Sequence, residues 1–385
     1  MLNVAISATA LAIWIYLVLA HGRFWLGRER DAQSVPTPAA WPAVAAVVPA
    51  RDEADCIAAS IGSLLRQDYP GPLAVILVDD DSSDGTADVA RRAAAASGQE
   101  GRLRVVESRT LPPGWTGKLW AVKQGIEAAE HLPLQPEYLL LTDADIEHAP
   151  DSVRWLASQA QSGGYVLTSF MAKLRCESLA ERIHVPAFIF FFQMLYPFPW
   201  VNRQDRGTAA AAGGCMLVKA EALRRAGGIE VIRGALIDDC ALAGAMKKQG
   251  PIWLGLTERV ESIRPYLGWT EVRRMIARSA YGQLRYSPLL LLSTVAGLTL
   301  TYLAPPLLAL FADGVARVLG FAAWLLMALA FQPTLRFYRM SPLWGLALPG
   351  IAFLYMLYTL DSAYQYVIGR GGAWKGRAQA NVSQS

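Results

Sequence analysis

Cysteine, histidine and charge are all scarce in this chain, and each scarcity removes a class of protein. Of 385 residues, four are cysteine (Cys56, Cys176, Cys215, Cys240) and four are histidine. The cysteines are scattered without paired spacing, which indicates neither a zinc site nor a disulfide framework. Reduced thiols in a cytoplasmic setting are the default reading. Charged residues are only 18% of the chain and the net charge is +4. That balance is too weak for a polyanion, so no nucleic acid is expected as a partner. The first twenty residues carry no charge at all. They lack the basic start of a secretory leader and read as a retained anchor.

What fills the gap is apolar. The hydrophobic share is 53% and the mean hydropathy is +0.26, values that point to a membrane protein. Residues 1–20 are long enough to span a bilayer, and three further apolar stretches follow at 287–312, 315–332 and 343–360. The expected organisation is an anchor over residues 1–22, a soluble domain over 41–286, membrane helices over 287–368 and a basic tail over 369–385. Arg23, Arg28 and Arg30 after the first span place the soluble domain on the cytoplasmic side of a cell (inner) membrane. Arg336 and Arg339 agree with that topology. Arg370, Lys375 and Arg377 do not, unless the last stretch, interrupted by Pro349-Gly350, is re-entrant. The segment 184–201, rich in aromatics and broken by Pro186, Pro197 and Pro199, has interfacial composition. A buried core helix is the alternative.

Within the soluble part, strand and helix patterns alternate. Strands are expected at 43–48, 73–78, 103–107 and 138–141, with helices ending near residue 67 and covering 87–96, 119–130 and 240–248. This repetition predicts an α/β fold whose parallel sheet has helices on both faces. Ligands of such sheets bind beyond the carboxyl ends of the strands. Three strand ends here carry polar clusters: Arg51-Asp52-Glu53, Asp79-Asp80-Asp81, and Asp143 with Asp145. Carboxylates gathered on one edge repel one another unless a cation or hydrogen-bond donors lie between them. Asp143 and Asp145 are one residue apart on the turn after an apolar strand, and oxygen ligands of this kind suit a hard divalent ion.

On these residues the chain resembles the family 2 glycosyltransferases, which have a GT-A, Rossmann-like nucleotide-diphosphosugar transferase fold. The resemblance is carried by Val47-Val48-Pro49-Ala50-Arg51-Asp52-Glu53, Val78-Asp79-Asp80 with the following Ser82, Asp84, Gly85 and Thr86, Gly117-Lys118, Asp143 with Asp145, and Ile237-Asp238-Asp239. More narrowly, Pro113-Gly114-Trp115-Thr116-Gly117-Lys118, Gly213-Gly214-Cys215-Met216 and Gly371-Gly372-Ala373-Trp374-Lys375-Gly376-Arg377 look like the hopene-associated glycosyltransferases of hopanoid biosynthesis. Arg51 and Asp238 depart from the broader family, where Asn and Glu are more usual.

The resemblance implies a set of roles. Pro49, Arg51, Glu53, Asp79, Asp80, Lys118 and Asp143 would bind a UDP-sugar donor, with Asp79 or Asp80 accepting from the uracil ring. Asp145, with Asp143, would hold Mn²⁺ or Mg²⁺. Gly213, Gly214 and Asp238 would line the sugar and acceptor region, and Asp239 would be the general base of an inverting displacement. The acceptor would be a membrane lipid, hopanoid-related, with a polyprenyl phosphate or carotenoid-type lipid as alternatives. A processive synthase is disfavoured because the Gln-x-x-Arg-Trp element of such enzymes is missing from the region after Asp239. A non-catalytic scaffold on the same fold is the reading from another class. Thr86 or Asp84 is expected to cap the helix after the acidic turn.

Overall fold

The computed structural model describes residues 1–266, 268–369, 373–374 and 377–378. The tail residues Arg370 and Lys375, and the glycines of the motif around them, lie outside the described residues. Ala373–Trp374 pairs antiparallel with Arg377–Ala378.

The chain divides into two compact units. One comprises Glu29–Arg175 and Trp200–Pro265, and the other Met1–Arg28, Cys176–Pro199 and the helices after Tyr266. In this division residues 176–199 group with the apolar helices, as do those from Tyr266 to the last long helix.

The first unit is built on eight strands: β1 (Val44–Ala50), β2 (Leu73–Asp79), β3 (Leu103–Glu107), β4 (Tyr138–Thr142), β5 (Ile146–His148), β6 (Leu167–Leu174), β7 (Cys215–Lys219) and β8 (Ile252–Ser262). They form one sheet in the order β3-β2-β1-β4-β7-β6-β8-β5. The expected parallel arrangement holds from β3 to β4. It fails beyond, because β7 runs antiparallel to both β4 and β6, and β5 antiparallel to β8. The sheet is mixed, of Rossmann-like GT-A type.

Every residue of β1 is buried, as a strand covered on both faces must be. Alternation sorts its side chains. Val44, Ala46, Val48 and Ala50 join Leu73, Val75 and Leu77 in a core with Ile57, Ile61, Leu64, Ala90 and Leu156. Val47 and Val78 turn to the helix Gly117–Glu130. A Cβ at Gly125 of that helix would come within 2.3 Å of Val47 Cγ1 and 3.0 Å of Val78 Cγ2. Only a residue without a side chain lets the helix lie this close to the sheet.

The topology also aims the acidic turn. After β4 the chain makes the turn Asp143-Ala144-Asp145 and enters β5, which lies at the far edge of the sheet beyond β7, β6 and β8. Asp143 and Asp145 thus sit at the two ends of the three-residue turn that joins β4 to β5.

Among the described residues, the second unit contains four helices long and apolar enough to cross a membrane: Leu2–Leu19, Pro288–Phe311, Gly314–Phe337 and Pro342–Val367. Pro349 does not break the last one. It lies in the first turn of the α-helix Leu348–Val367, where proline removes no intrahelical bond. In the second helix Pro305 has no N–H for the Thr301 carbonyl. The helix passes through a π-turn at Thr299–Leu303, and Trp14 Nε1 donates to Thr301 O at 2.8 Å. The aromatic segment forms the helix Leu179–Leu195, started by a capping box of Ser178 and Glu181. Its Ala187 and Phe190 are fully buried in a cluster with Trp14, Phe24, Tyr302 and Phe331. Through these residues the helix packs into the apolar core of its unit. Its aromatic density is spent on ring contacts such as Phe190–Phe331 at 5.2 Å.

Candidate active site

The first two strand ends are tied into one clasp. Asp52 N donates to Ser82 Oγ at 3.0 Å, Ser83 N to Asp52 Oδ1 at 2.8 Å, Glu53 N to Thr86 Oγ1 at 2.9 Å and Ala54 N to Asp84 Oδ2 at 2.9 Å. Asp84 Oδ1 caps Thr86 N at 3.0 Å, as the turn chemistry suggested. Asp52 and Asp81 hold positive φ angles of 49° and 59°, a conformation L residues adopt when their surroundings enforce it. Arg51 donates to the Asp80 carbonyl and lies 3.9 Å from its carboxylate. Asp80 is completely buried, whereas Asp79 is half-buried, with its Oδ1 accepting from Ser82 N at 3.1 Å.

Beside this clasp, Lys118 enters from the second residue of the helix capped by Thr116. Its Nζ lies 2.8 Å from Asp143 Oδ1 and 3.2 Å from Asp238 Oδ2. Burial alone would lower the lysine's pKa, but Asp143 and Asp238 outweigh it and leave the pKa raised, so the ammonium stays charged. Burial, only partly offset by Lys118, raises Asp143. Pro49, Lys118, Asp143, Gly213 and Asp238 line one cleft.

Asp238 and Asp239 open the helix Asp238–Lys247, where carboxylates meet the positive end of the helix dipole. Asp239 Oδ2 accepts from Gly213 N at 3.0 Å, and Oδ1 accepts from Cys240 N at 2.7 Å. Burial and the neighbouring Asp238 nevertheless push its pKa up to about 6, against the pull of Lys118 and the two amides. A carboxylate poised there can accept a proton near neutral pH. A Cβ at Gly213 would make only ordinary contacts, 3.4 Å from Lys118 Nζ and 3.6 Å from Asp239 Oδ2, which places this backbone against both side chains. Gly214 instead packs towards Ile146 and Ala172, and its carbonyl accepts from Thr142 Oγ1 at 2.7 Å.

Asp145 has other partners. Its Oδ2 accepts from Ser262 Oγ at 3.1 Å and pairs with Arg264 Nε at 3.1 Å, while Arg264 Nη2 reaches the buried Glu53. The two acids of the turn face different basic side chains, Asp143 meeting Lys118 and Asp145 meeting Arg264. Oxygen donors held against positive charge fit a hard divalent cation in kind. One group of three potential ligand atoms within 4.8 Å occurs among the described residues, Glu53 with Asp55 and Cys56. Burial raises Cys56 to about 11, so its sulfur stays protonated and is a poor ligand.

Sequence reasoning missed Arg264, Ser262 and the support beneath Asp143. His148 Nε2 shares a hydrogen bond with Thr142 Oγ1 at 3.0 Å, next to Asp143 in the chain, and His148 N donates to Ser63 Oγ at 3.0 Å. Burial drives its pKa down to about 3, so the imidazole is a neutral strut.

The profile of Glycosyl transferase family 2 matches residues 45–227. No curated protein matches the chain. Among solved structures, the mannosyltransferase PcManGT from Pyrobaculum calidifontis, determined in complex with GDP-Man and Mn²⁺, is similar over 93% of this chain and 99% of its own, with 20% identity and a TM-score of 0.57. Glucosyl-3-phosphoglycerate synthase from Mycobacterium tuberculosis (20% identity, 61% of this chain and 77% of its own, TM-score 0.39) and S. aureus TarS (13%, 83% and 54%, TM-score 0.42) are more distant and add nothing to the fold assignment. Residues 45–227 match the family 2 glycosyl transferase domain on a fold of GT-A type, and by class the protein is a glycosyltransferase.

Proposed function

We propose that this glycosyltransferase moves a single sugar from a UDP-sugar to a lipid acceptor at a membrane, with inversion at the anomeric carbon. The observation that carries the reading is Asp239. It is held by two backbone amides, raised to about 6, and set beside the Lys118–Asp143–Asp238 cluster.

The donor would lie across the ends of β1, β2 and β4. Asp79 or Asp80 would accept from the uracil ring, with Pro49, Arg51 and Glu53 shaping the base and ribose side. Lys118 offers the diphosphate a desolvated point charge. Asp143 would meet the ribose or share the cation with Asp145. A divalent ion, Mn²⁺ or Mg²⁺, would when bound neutralise charge on the departing diphosphate. Asp239 takes the proton from the acceptor hydroxyl while that oxygen attacks from the face opposite the diphosphate. The amides of Gly213 and Cys240 fix the direction of its lone pairs. General-base catalysis of this kind contributes about 10²–10⁴-fold.

The lipid acceptor rests on the four apolar helices and on the resemblance in Pro113–Lys118 and Gly213–Met216, which favours a hopanoid-related lipid. Membrane lipids of a deletion strain, compared with wild type by mass spectrometry, test this directly. Loss of one glycolipid, restored by the purified enzyme with a UDP-sugar, is the expected result. An unchanged lipid profile together with no transfer to any lipid by the purified enzyme would overturn it.

A further inference from the structure

Arg264 lies two residues past the end of β8, and the fold holds it over the acidic turn. The Asp145 carbonyl accepts from Ile263 N at 2.9 Å, so the backbone on both sides is pinned. From there the guanidinium reaches two carboxylates on different elements, Asp145 through Nε at 3.1 Å and Glu53 through Nη2. Glu53 is only 6% exposed. Two half-buried or buried acids so close together are held by a group that cannot deprotonate and that offers several donors in a fixed fork. The same fork matches a diphosphate.

We propose that Arg264 is a positioning residue that couples metal to nucleotide. Without donor it occupies Asp145 and Glu53 and competes with the divalent cation. With donor it turns to the diphosphate and leaves both carboxylates to the ion. This rests on the reading of Asp145 as a metal ligand. The coupling is reciprocal, as linkage requires. Mn²⁺ binds weakly alone because it must displace a guanidinium, and tightly with nucleotide because the guanidinium then has another anion. Lys118, on the Asp143 side of the turn, can meet the same diphosphate but pairs with Asp143 and Asp238, so its movement frees neither Asp145 nor Glu53.

The test is calorimetric titration of the intact detergent-solubilised protein with MnCl₂ alone, and with MnCl₂ at saturating UDP. Wild type is expected to bind Mn²⁺ at least fivefold more tightly with UDP than without. In Arg264→Gln, Mn²⁺ alone should bind several-fold more tightly than to wild type, UDP should bind about tenfold more weakly, and the coupling should vanish. Arg264→Lys keeps the charge but not the fork, and should retain part of the coupling. A melting curve accompanies each variant. If Arg264→Gln keeps the wild-type coupling, or if both variants weaken Mn²⁺ and UDP binding alike, the proposal is overturned. If wild type binds UDP but no Mn²⁺ at any UDP concentration, the metal reading fails and the proposal with it.

Discussion

At Asp239 the chemistry and the stability of the protein pull in opposite directions. A base works only when ionised. With its pKa raised to about 6, transfer should fall roughly tenfold per pH unit below about 6 and level off above it. The pH profile of kcat/KM with saturating metal checks this, and a limb displaced to the ordinary carboxylate range near 4 would contradict it. The same shift sets a stability cost. A raised carboxyl pKa favours folding at pH values below the ordinary range, and the benefit is lost as pH rises through about 6. Asp239→Asn removes that cost but turns an amide donor towards one of the two backbone N–H groups, so its stability at neutral pH should stay within about 1 kcal/mol of wild type. Asp145→Asn is the complementary case. The amide keeps the shape but loses the charge that would hold a cation, so metal-dependent transfer should drop by two or more orders of magnitude with the fold intact. Turnover near wild type at ordinary Mn²⁺ would remove this acid from the mechanism.

The elements differ in how much of them the sequence announces. Strands β1, β2 and β4 are legible because each is a short apolar run with an acid or a proline at or just past its end, and a strand buried on both faces has no other way to read, whereas the half-exposed β3 is marked by Leu103, Val105 and Val106. The sequence signal gave out after β4. Strand β5 has three residues and β8 changes halfway from a continuous apolar run to alternation, so neither has a clean period. Their positions decide the site: β5 carries the turn across the sheet and β8 delivers Ser262 and Arg264. The Arg264 partners lie 119 and 211 residues away in the chain, a pairing that no local pattern encodes. The core helix Leu179–Leu195 is a different case, because its Ser178…Glu181 capping box was readable and its aromatic density drew attention away from it. Gly125 belongs to the same scale. Gly125→Val would drive side-chain atoms into Val47 and Val78 and should destabilise the protein by about 1–3 kcal/mol. A melting temperature equal to wild type would show that the helix does not pack as described.

For the whole molecule, the four apolar helices leave many large side chains uncovered, among them Leu289, Leu292, Leu310, Phe311, Val318 and Phe321. Such an apolar surface calls for lipid or detergent, and the orientation we propose from the basic loops, with the catalytic unit on the cytoplasmic side, is open to a direct test. A cysteine introduced at the exposed Glu100 should react with a membrane-impermeant maleimide in inverted vesicles and not in intact cells, and the reverse pattern would overturn that orientation. The central claim, that Asp239 deprotonates a hydroxyl on a lipid while a nucleotide-sugar donor is held beside it, is tested most directly by the glycolipid formation rate of Asp239→Asn in bilayers. The account predicts a loss of about 10²–10⁴-fold with UDP-sugar affinity unchanged, because this side chain touches the acceptor oxygen and not the diphosphate. A small loss would point to a phosphate acceptor that arrives already ionised. An unchanged rate on a hydroxyl acceptor would contradict the assignment and move the base elsewhere, with Asp238 the next residue to replace.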